Sequence, residues 1–237
     1  MRIVSFGAGV QTTALAILVA QGKITADAFV FADTKGEKPE TYEYMQALTI
    51  PLLNQVGIPF KWLKNTSKYD GESLYDFSVK HQYLPGMPKR QCSAHFKASV
   101  IHRAFPKAIK MIGFNTDELS RAENPIHVKA EFPLIKLGLS GNDCTRIVQN
   151  YGWPIPVKSS CFFCPYQRPF EWNWIKGRHP DLFQKCLDLE NAMYAKHPRK
   201  RNQYGLFGGK PLWKFADGIQ QEFTLQENSC WTGACGH

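Results

Sequence analysis

The chain has 237 residues, enough for one domain, or for one domain with a smaller appendage, around a substantial hydrophobic core. Lysine and arginine total 29 against 20 acidic residues, and the formal net charge of +9 favours polyanionic partners such as nucleotides or nucleic acid, although solubility explains a surplus of this size nearly as well. No apolar run reaches the about 20 residues of a membrane span, and the N-terminus lacks the regions of a secretion signal, so we expect a cytoplasmic protein without a membrane partner. Seven cysteines in such a protein argue against a disulfide framework and for metal, cluster or redox use.

Apolar strands alternate with helical patterns through the first half of the chain. We predict strands at residues 2–6, 28–34, 59–65 and 110–116. We predict helices at residues 12–21, 38–57 and 95–105, with Pro39 in the first turn of the second helix and Pro51 kinking or interrupting it. This alternation indicates a doubly wound α/β fold, whose mostly parallel sheet is covered by helices on both faces.

The character of the sequence changes after Ala130. Three helices are predicted there, at residues 140–152, 169–177 and 180–197, and the first begins with a capping box from Ser140 to Asp143. We therefore expect an α/β core over residues 1–135 and a helical, cysteine-bearing C-terminal subdomain over residues 136–237, folded over the active edge of the core.

The first predicted strand runs into a turn with two glycines, Gly7 and Gly9, and then into a helix. Such an arrangement places backbone N–H groups and a helix N-terminus in front of an anion. The dinucleotide fingerprint would need a third glycine, and the Walker loop would need a lysine where Gln11 precedes Thr12. A tight turn that serves packing alone is the alternative for this segment taken by itself.

Four segments, in order, resemble the motifs of one family. "FGAGVQTTAL" resembles the S-G-G-x-D-S-T loop of the PP-loop ATP pyrophosphatases, with Gly7, Ala8 and Gln11 in place of Ser, Gly and Asp. "FADTKGEKPETYEYMQAL" is similar to the D-T-G-x-x-x-P-E-T stretch of phosphoadenylyl sulfate (PAPS) reductases. "QCSAHFKASVI" and "IGFNTDELSRA" resemble that family's C-C-x-x-x-K and I-G-x-x-x-x-E-x-x-R segments. The resemblance covers roughly residues 1–170.

The resemblance implies a five-stranded sheet of the adenine nucleotide α-hydrolase (HUP) type and a site for ATP with Mg²⁺. Asp33 would contact the ribose or the base amine, Lys97 and Arg121 would act in catalysis by stabilising phosphate charge, and Glu118 would orient Arg121. The implied nucleotide-binding residues are Ser5, Gly7, Ala8, Gly9, Gln11, Thr12, Thr13, Asp33, Thr34, Gly113 and Glu118.

The pair Cys161-x-x-Cys164 has a spacing that suits one metal ion, one cluster or a redox dithiol. In cluster-bearing adenylyl sulfate (APS) reductases a Cys-Cys pair joins such a motif, and Cys92 matches the second cysteine of that pair, with Gln91 in place of the first. The resemblance implies a 4Fe–4S cluster with an exogenous fourth ligand at an open iron, as in cluster-dependent tRNA thiolation enzymes, or with Cys230 or Cys235 as fourth ligand. Zinc and buried inert thiols are the alternatives.

The function implied by the resemblance is that of an ATP-dependent sulfurtransferase. It would adenylate a carbonyl of a nucleobase or nucleic acid and replace the oxygen by sulfur from a donor such as a cysteine desulfurase. The first alternative is an APS or PAPS reductase with Cys235 as catalytic nucleophile, and the second is a non-catalytic nucleotide-binding iron–sulfur module. The basic and aromatic residues of segment 197–215 could contact phosphates and stack on bases, and a solvated loop is the alternative. The sequence leaves the oligomeric state open.

Overall fold

The computed structural model describes residues 1–64, 73–86, 91–123 and 129–215. Within these residues five strands form one sheet in the order β3–β2–β1–β4–β5, and every neighbouring pair is parallel. The chain moves outward from β1 to β3 and then crosses to the other side of β1, which confirms the predicted doubly wound α/β fold. The strands are β1 (Arg2–Ser5), β2 (Ala28–Asp33), β3 (Phe60–Lys64), β4 (Ile109–Ile112) and β5 (Ala130–Glu131).

Helices connect the strands and make up most of the described residues after β5. No helix among the described residues is both long and apolar enough to cross a membrane. The α-helices are α1 (Val10–Ala20), α2 (Pro39–Tyr44), α3 (Ile50–Gln55), α4 (Leu74–Lys80), α5 (Gln91–Ser93), α6 (Ser99–Ala104), α7 (Leu119–Ala122), α8 (Pro133–Lys136), α9 (Gly141–Asn150), α10 (Pro169–Arg178) and α11 (Pro180–Lys196). Two π-helical turns, Met45–Thr49 and Ala94–Ala98, and three 3-10 turns, Thr116–Glu118, Pro198–Lys200 and Leu212–Phe215, complete the helical structure of the described residues.

The helix predicted for residues 38–57 is interrupted at Pro51, as expected. Pro51 lies in the first turn of α3 and has no N–H to donate to the carbonyl four residues earlier. The π turn Met45–Thr49 stands between α2 and α3, so the wider hydrogen-bonding pattern falls where the proline removes a donor.

The two faces of the sheet belong to different hydrophobic cores. Val4 and Phe29 pack in a core with α1, α3 and α9, whereas Ile3 and Val30 pack in a core with α6. Successive residues of a strand point to opposite faces, so a strand in the middle of the sheet is buried throughout. All six residues of β2 are buried for this reason.

Residues before and after position 135 pack together in the same hydrophobic cores. Helix α9 begins with the predicted capping box, in which the Asp143 N–H donates to Ser140 Oγ and the Ser140 N–H donates to Asp143 Oδ2. That helix lies on α1, with Cys144 fully buried in the sheet core. A further core around Trp172 joins α10 and α11 to Leu74 of α4. The core that contains α1 and the core around Trp172 therefore each combine residues from before and after position 135.

Candidate functional site

An open cleft of about 1190 Å³ lies at the carboxyl edge of the parallel sheet. One wall comes from residues that follow β1, β2 and β4, among them Gly9, Thr34 and Asn115. The opposite wall comes from segment 155–161 and from helix α10. Ligands of open α/β sheets bind at this edge, because the loops between strands and helices converge there.

The turn after β1 presents the N-terminus of α1 to the cleft. Gly9 precedes the helix without a side-chain cap, the first turn contains no acidic residue, and Gly9, Val10 and Gln11 line the cleft. The Thr12 hydroxyl donates to the Gly9 carbonyl at 3.2 Å. Ala8 adopts a left-handed backbone conformation with φ of 59°. The backbone N–H groups at this helix end are therefore available to an anion.

Ser159 lies against this turn from the other wall. Its hydroxyl donates a hydrogen bond to the Gly7 carbonyl, and Ser159 Oγ is 3.5 Å from the position that a Cβ atom would occupy at Gly9. Gly113, at the end of β4, contacts α1 more closely, because a Cβ there would lie 2.8 Å from the Thr12 methyl carbon. The turn is therefore held between the end of β4 and segment 155–161.

Lys97 forms an ion pair at the edge of the cleft. Its Nζ lies 2.7 Å from Oε1 of Glu37, whose side chain is fully buried, while the Lys97 side chain is 31% exposed. Burial disfavours the charged form of Lys97, but the Glu37 carboxylate, the neighbouring Cys161 and the hydrogen bond to Glu37 outweigh it, so the pKa of Lys97 lies above its usual value. Lys97 is therefore a cation at neutral pH.

Arg121 and Glu118 also line the cleft and are bonded to each other. Arg121 Nη1 donates to Glu118 Oε1, and the guanidinium carbon lies 4.3 Å from the centre of the Phe114 ring. A carboxylate and an aromatic face thus fix the position of this cation.

Three cysteines, Cys92, Cys161 and Cys164, are half-buried and line the same cleft. Cys161 Sγ lies 3.3 Å from the Thr34 hydroxyl oxygen, and burial raises the pKa of both Cys161 and Cys164. Within the described ranges, no three His, Cys, Asp or Glu side chains form a group that could hold a metal ion. The cleft thus offers three thiols without a preassembled metal site. Cys230 and Cys235 lie outside the described residues.

Asp33 does not line the cleft. Its Oδ1 accepts hydrogen bonds from the Tyr42 hydroxyl at 2.8 Å and the Lys35 N–H at 2.7 Å, and its Oδ2 accepts one from Trp62 Nε1 at 3.0 Å. The Asp33 carboxylate, which the sequence predicts to contact a nucleotide, is therefore hydrogen-bonded within the fold. Other predicted nucleotide-binding residues that do not border the cleft are Ser5, Gly7, Ala8, Thr12, Thr13 and Gly113.

A buried polar cluster in the opposite wall was not predicted from the sequence. Lys38, whose side chain is 3% exposed, donates from Nζ to the Lys158 carbonyl and to Ser160 Oγ, both at 3.2 Å, and lies 3.7 Å from Glu171 Oε1. Lys158 Nζ donates to Glu171 Oε2 at 2.8 Å. Burial lowers the pKa of Lys38 by more than Glu171 raises it. In the sequence, the polar run Lys158–Ser160 directly before the first cysteine of the C-x-x-C pair is the feature that could have indicated this cluster.

The charge of the cleft favours an anionic ligand, because among the described residues five basic side chains line it against three acidic ones. The basic residues are Lys38, Lys97, Arg121, Lys158 and Arg168, and the acidic ones are Asp117, Glu118 and Glu171. No family model matches this chain, and no curated protein matches it.

Proposed function

We propose that the protein is an ATP-dependent sulfurtransferase of the PP-loop type, acting on a carbonyl group of a nucleobase or nucleic acid. One observation carries the proposal: an uncapped helix N-terminus at Gly9, the cations Lys97 and Arg121, and the thiols of Cys161 and Cys164 belong to one cleft. A site that only binds a nucleotide has no chemical need for thiols beside the phosphates. A site that activates an oxygen and replaces it by sulfur needs both.

In the proposed reaction, the acceptor carbonyl oxygen attacks the α-phosphorus of ATP, and pyrophosphate leaves with the electron pair of the broken P–O bond. The backbone N–H groups of the turn at Gly9 hold the phosphates, while Lys97 and Arg121 offset the negative charge that develops on pyrophosphate. A sulfur nucleophile then forms a bond to the activated carbon, and AMP leaves with the oxygen.

The three cleft thiols match the donor type of an iron–sulfur cluster, since thiolates are its usual ligands. As they stand, these thiols do not form a group that could hold a metal ion, so Cys92, Cys161 and Cys164 would have to draw together to hold a cluster, which would then supply sulfur for the second step. Burial disfavours the thiolate form of Cys161, whereas the Thr34 hydroxyl beside its Sγ and the nearby Lys97 cation favour it. A bound metal would favour the thiolate further. Zinc remains the other metal compatible with these ligands.

Nucleotide cleavage tests the first half of the proposal. With an oligonucleotide acceptor and sulfide supplied, the expected products from ATP labelled at the α-phosphate are AMP and pyrophosphate. Arg121→Met should reduce their formation at least about tenfold, the loss expected on removing one transition-state cation. Arg146→Met is the matched control, because Arg146 also pairs with a carboxylate three residues away but does not line the cleft. Formation of ADP and phosphate, or release of sulfite from APS or PAPS, would contradict the proposal.

Anaerobic purification tests the cluster. The expected result is a coloured protein that contains iron, with iron content reduced in Cys161→Ser and Cys164→Ser. Cys144→Ala, which removes a buried thiol from the sheet core, should retain the iron of the parent protein. A colourless, iron-free protein that contains zinc would overturn the cluster.

A further inference from the structure

Helix α10 turns one side toward the cleft and the other into the protein core. Trp172 and Ile175 are fully buried in the core. At about 100° per residue, the cleft-lining residues cover an arc of about 160° on the remaining side. In order around the helix, these residues are Asn173, Phe170, Trp174 and Glu171. We refer to these four residues as the α10 face.

Two buried hydrogen-bond acceptors lie at the ends of this arc, and neither accepts a hydrogen bond within the described residues. Asn173 is 6% exposed and Glu171 is 5% exposed. Across the part of the chain that the structure describes, Asn173 Oδ1 has no hydrogen-bond partner. Glu171 Oε1 also accepts no hydrogen bond, but it lies 3.7 Å from Lys38 Nζ in an ion pair. The other Glu171 oxygen accepts from Lys158 Nζ and from the Arg168 N–H, so the side chain is held in place. Buried acceptors without partners are unfavourable, and a ligand with N–H donors would satisfy them.

Aromatic surface separates the two acceptors. Phe170 is 37% exposed, and Trp174 is half-buried, with Lys38 Nζ 5.8 Å from the centre of its ring. Aromatic side chains of this kind bind the flat face of a base by stacking. An asparagine amide pairs well with a base edge that carries an exocyclic amine.

We propose that the α10 face binds a nucleobase with an exocyclic amine, and that this base is the acceptor. The role as acceptor rests on the proposed sulfurtransferase function, whereas binding of the base does not. Because the acceptor must also carry a ring carbonyl, the bases that meet both requirements are cytosine and guanine. Segment 158–160 joins this face to the turn at Gly7, because Lys158 bonds to Glu171 and Ser159 bonds to the Gly7 carbonyl, so a base on this face would lie beside phosphates held at the turn.

Oligonucleotide binding tests this inference with a matched pair of ligands. Cytosine and uracil have the same size but differ by an amine at C4. Fluorescence anisotropy with labelled ten-nucleotide oligo(C) and oligo(U) at one salt concentration should show oligo(C) binding about tenfold more tightly. Asn173→Leu, which keeps the side-chain shape without the acceptor, should bring the ratio close to one. Trp174→Ala should weaken both ligands about tenfold through lost stacking.

Trp213→Ala is the control, because Trp213 is an exposed tryptophan that does not line the cleft. It should leave both affinities unchanged, and circular dichroism should confirm the fold of each variant. Equal binding of oligo(C) and oligo(U) by the parent protein would overturn the inference. So would a loss in Trp213→Ala as large as in Trp174→Ala, which would place the bases on segment 197–215. Displacement of oligo(C) by CMP at equal nucleotide concentration would identify a free nucleotide as the ligand. Failure of CMP to displace it would identify a nucleic-acid strand. Both results support the α10 face as a base-binding site.

Cleavage of ATP is measured on the same preparations, which separates the two ideas. A preference for cytosine without formation of AMP supports the base site and contradicts the sulfurtransferase. Formation of AMP without a preference contradicts the base site alone.

Discussion

The Ser159 hydroxyl donates a hydrogen bond to the Gly7 carbonyl and thereby joins residues 152 positions apart. Ser159 stands two residues before Cys161, so this bond ties the turn after β1 to the segment that carries two of the three cleft thiols, Cys161 and Cys164. The bond therefore helps to fix the position of the turn relative to these two thiols.

Ser159→Ala should weaken ATP binding about fivefold, because the loss of a hydrogen bond of about 1 kcal/mol loosens the turn. Isothermal titration with ATP measures the effect. Ser99→Ala should have none, since its hydroxyl bonds to the His95 carbonyl within its own helical segment. Unchanged affinity in Ser159→Ala would show that the turn holds its shape without the bond.

Gly113→Ala should destabilise the protein by about 1–3 kcal/mol, the usual cost of overpacking. The new methyl group would lie 2.8 Å from the Thr12 methyl carbon and would push the first turn of α1 away from β4. Gly7→Ala is the control, because no atom lies within 4 Å of the added Cβ there. Urea denaturation gives both free energies of unfolding, and equal values would contradict the close approach.

Lys97→Met should cost about 3 kcal/mol of stability, because it leaves the Glu37 carboxylate buried without its cation. Glu37 Oε2 already has no hydrogen-bond partner among the described residues, so no second donor replaces Lys97. The double variant Lys97→Met, Glu37→Gln should recover much of the loss. If it is as unstable as the single variant in urea, the two side chains are not coupled.

Glu40 should make stability depend on pH on the acid side. Burial raises the pKa of Glu40, but its own backbone N–H and its bonds to His179 and Arg178 together lower it below 4.5. A folded pKa below the unfolded value means that the stabilisation is present at neutral pH and is lost as pH falls through about 4.5 and below.

Glu40→Gln should therefore cost about 1–2 kcal/mol at pH 7 and less at pH 4, as measured by urea denaturation. Glu43→Gln, at an exposed position of the same helix α2, should leave stability unchanged at both pH values. A constant difference between Glu40→Gln and the parent protein across this range would contradict the assignment.

The order of strands and helices could be predicted because it rests on local patterns. Every position of β2 is apolar or small until Asp33, and the capping box at Ser140 needs only residues three apart. The fifth strand, Ala130–Glu131, could not be located in this way. Two residues have no periodicity, and this strand exists because β4 offers it a partner.

The candidate site was predictable in part. Lys97, Arg121 and the C-x-x-C pair follow from motifs, and the structure brings them to one cleft. Glu37 lies 60 residues before its partner Lys97, and no local pattern connects them. The α10 face was also missed, because Trp174 and Asn173 fit an ordinary amphipathic helix equally well.

Local patterns are enough to predict that strands alternate with helices and that a glycine turn joins the first strand to the first helix, because periodicity and turns depend on neighbouring residues. Which side chains face the cleft depends on tertiary packing. Tyr42 and Trp62 hold the Asp33 carboxylate within the fold. Lys38 is held at the cleft by the ion pair with Glu171 of α10, and Ser159 by its bond to the Gly7 carbonyl. These bonds and ion pairs join segments that are distant in the chain, so their partners cannot be read from spacing along it.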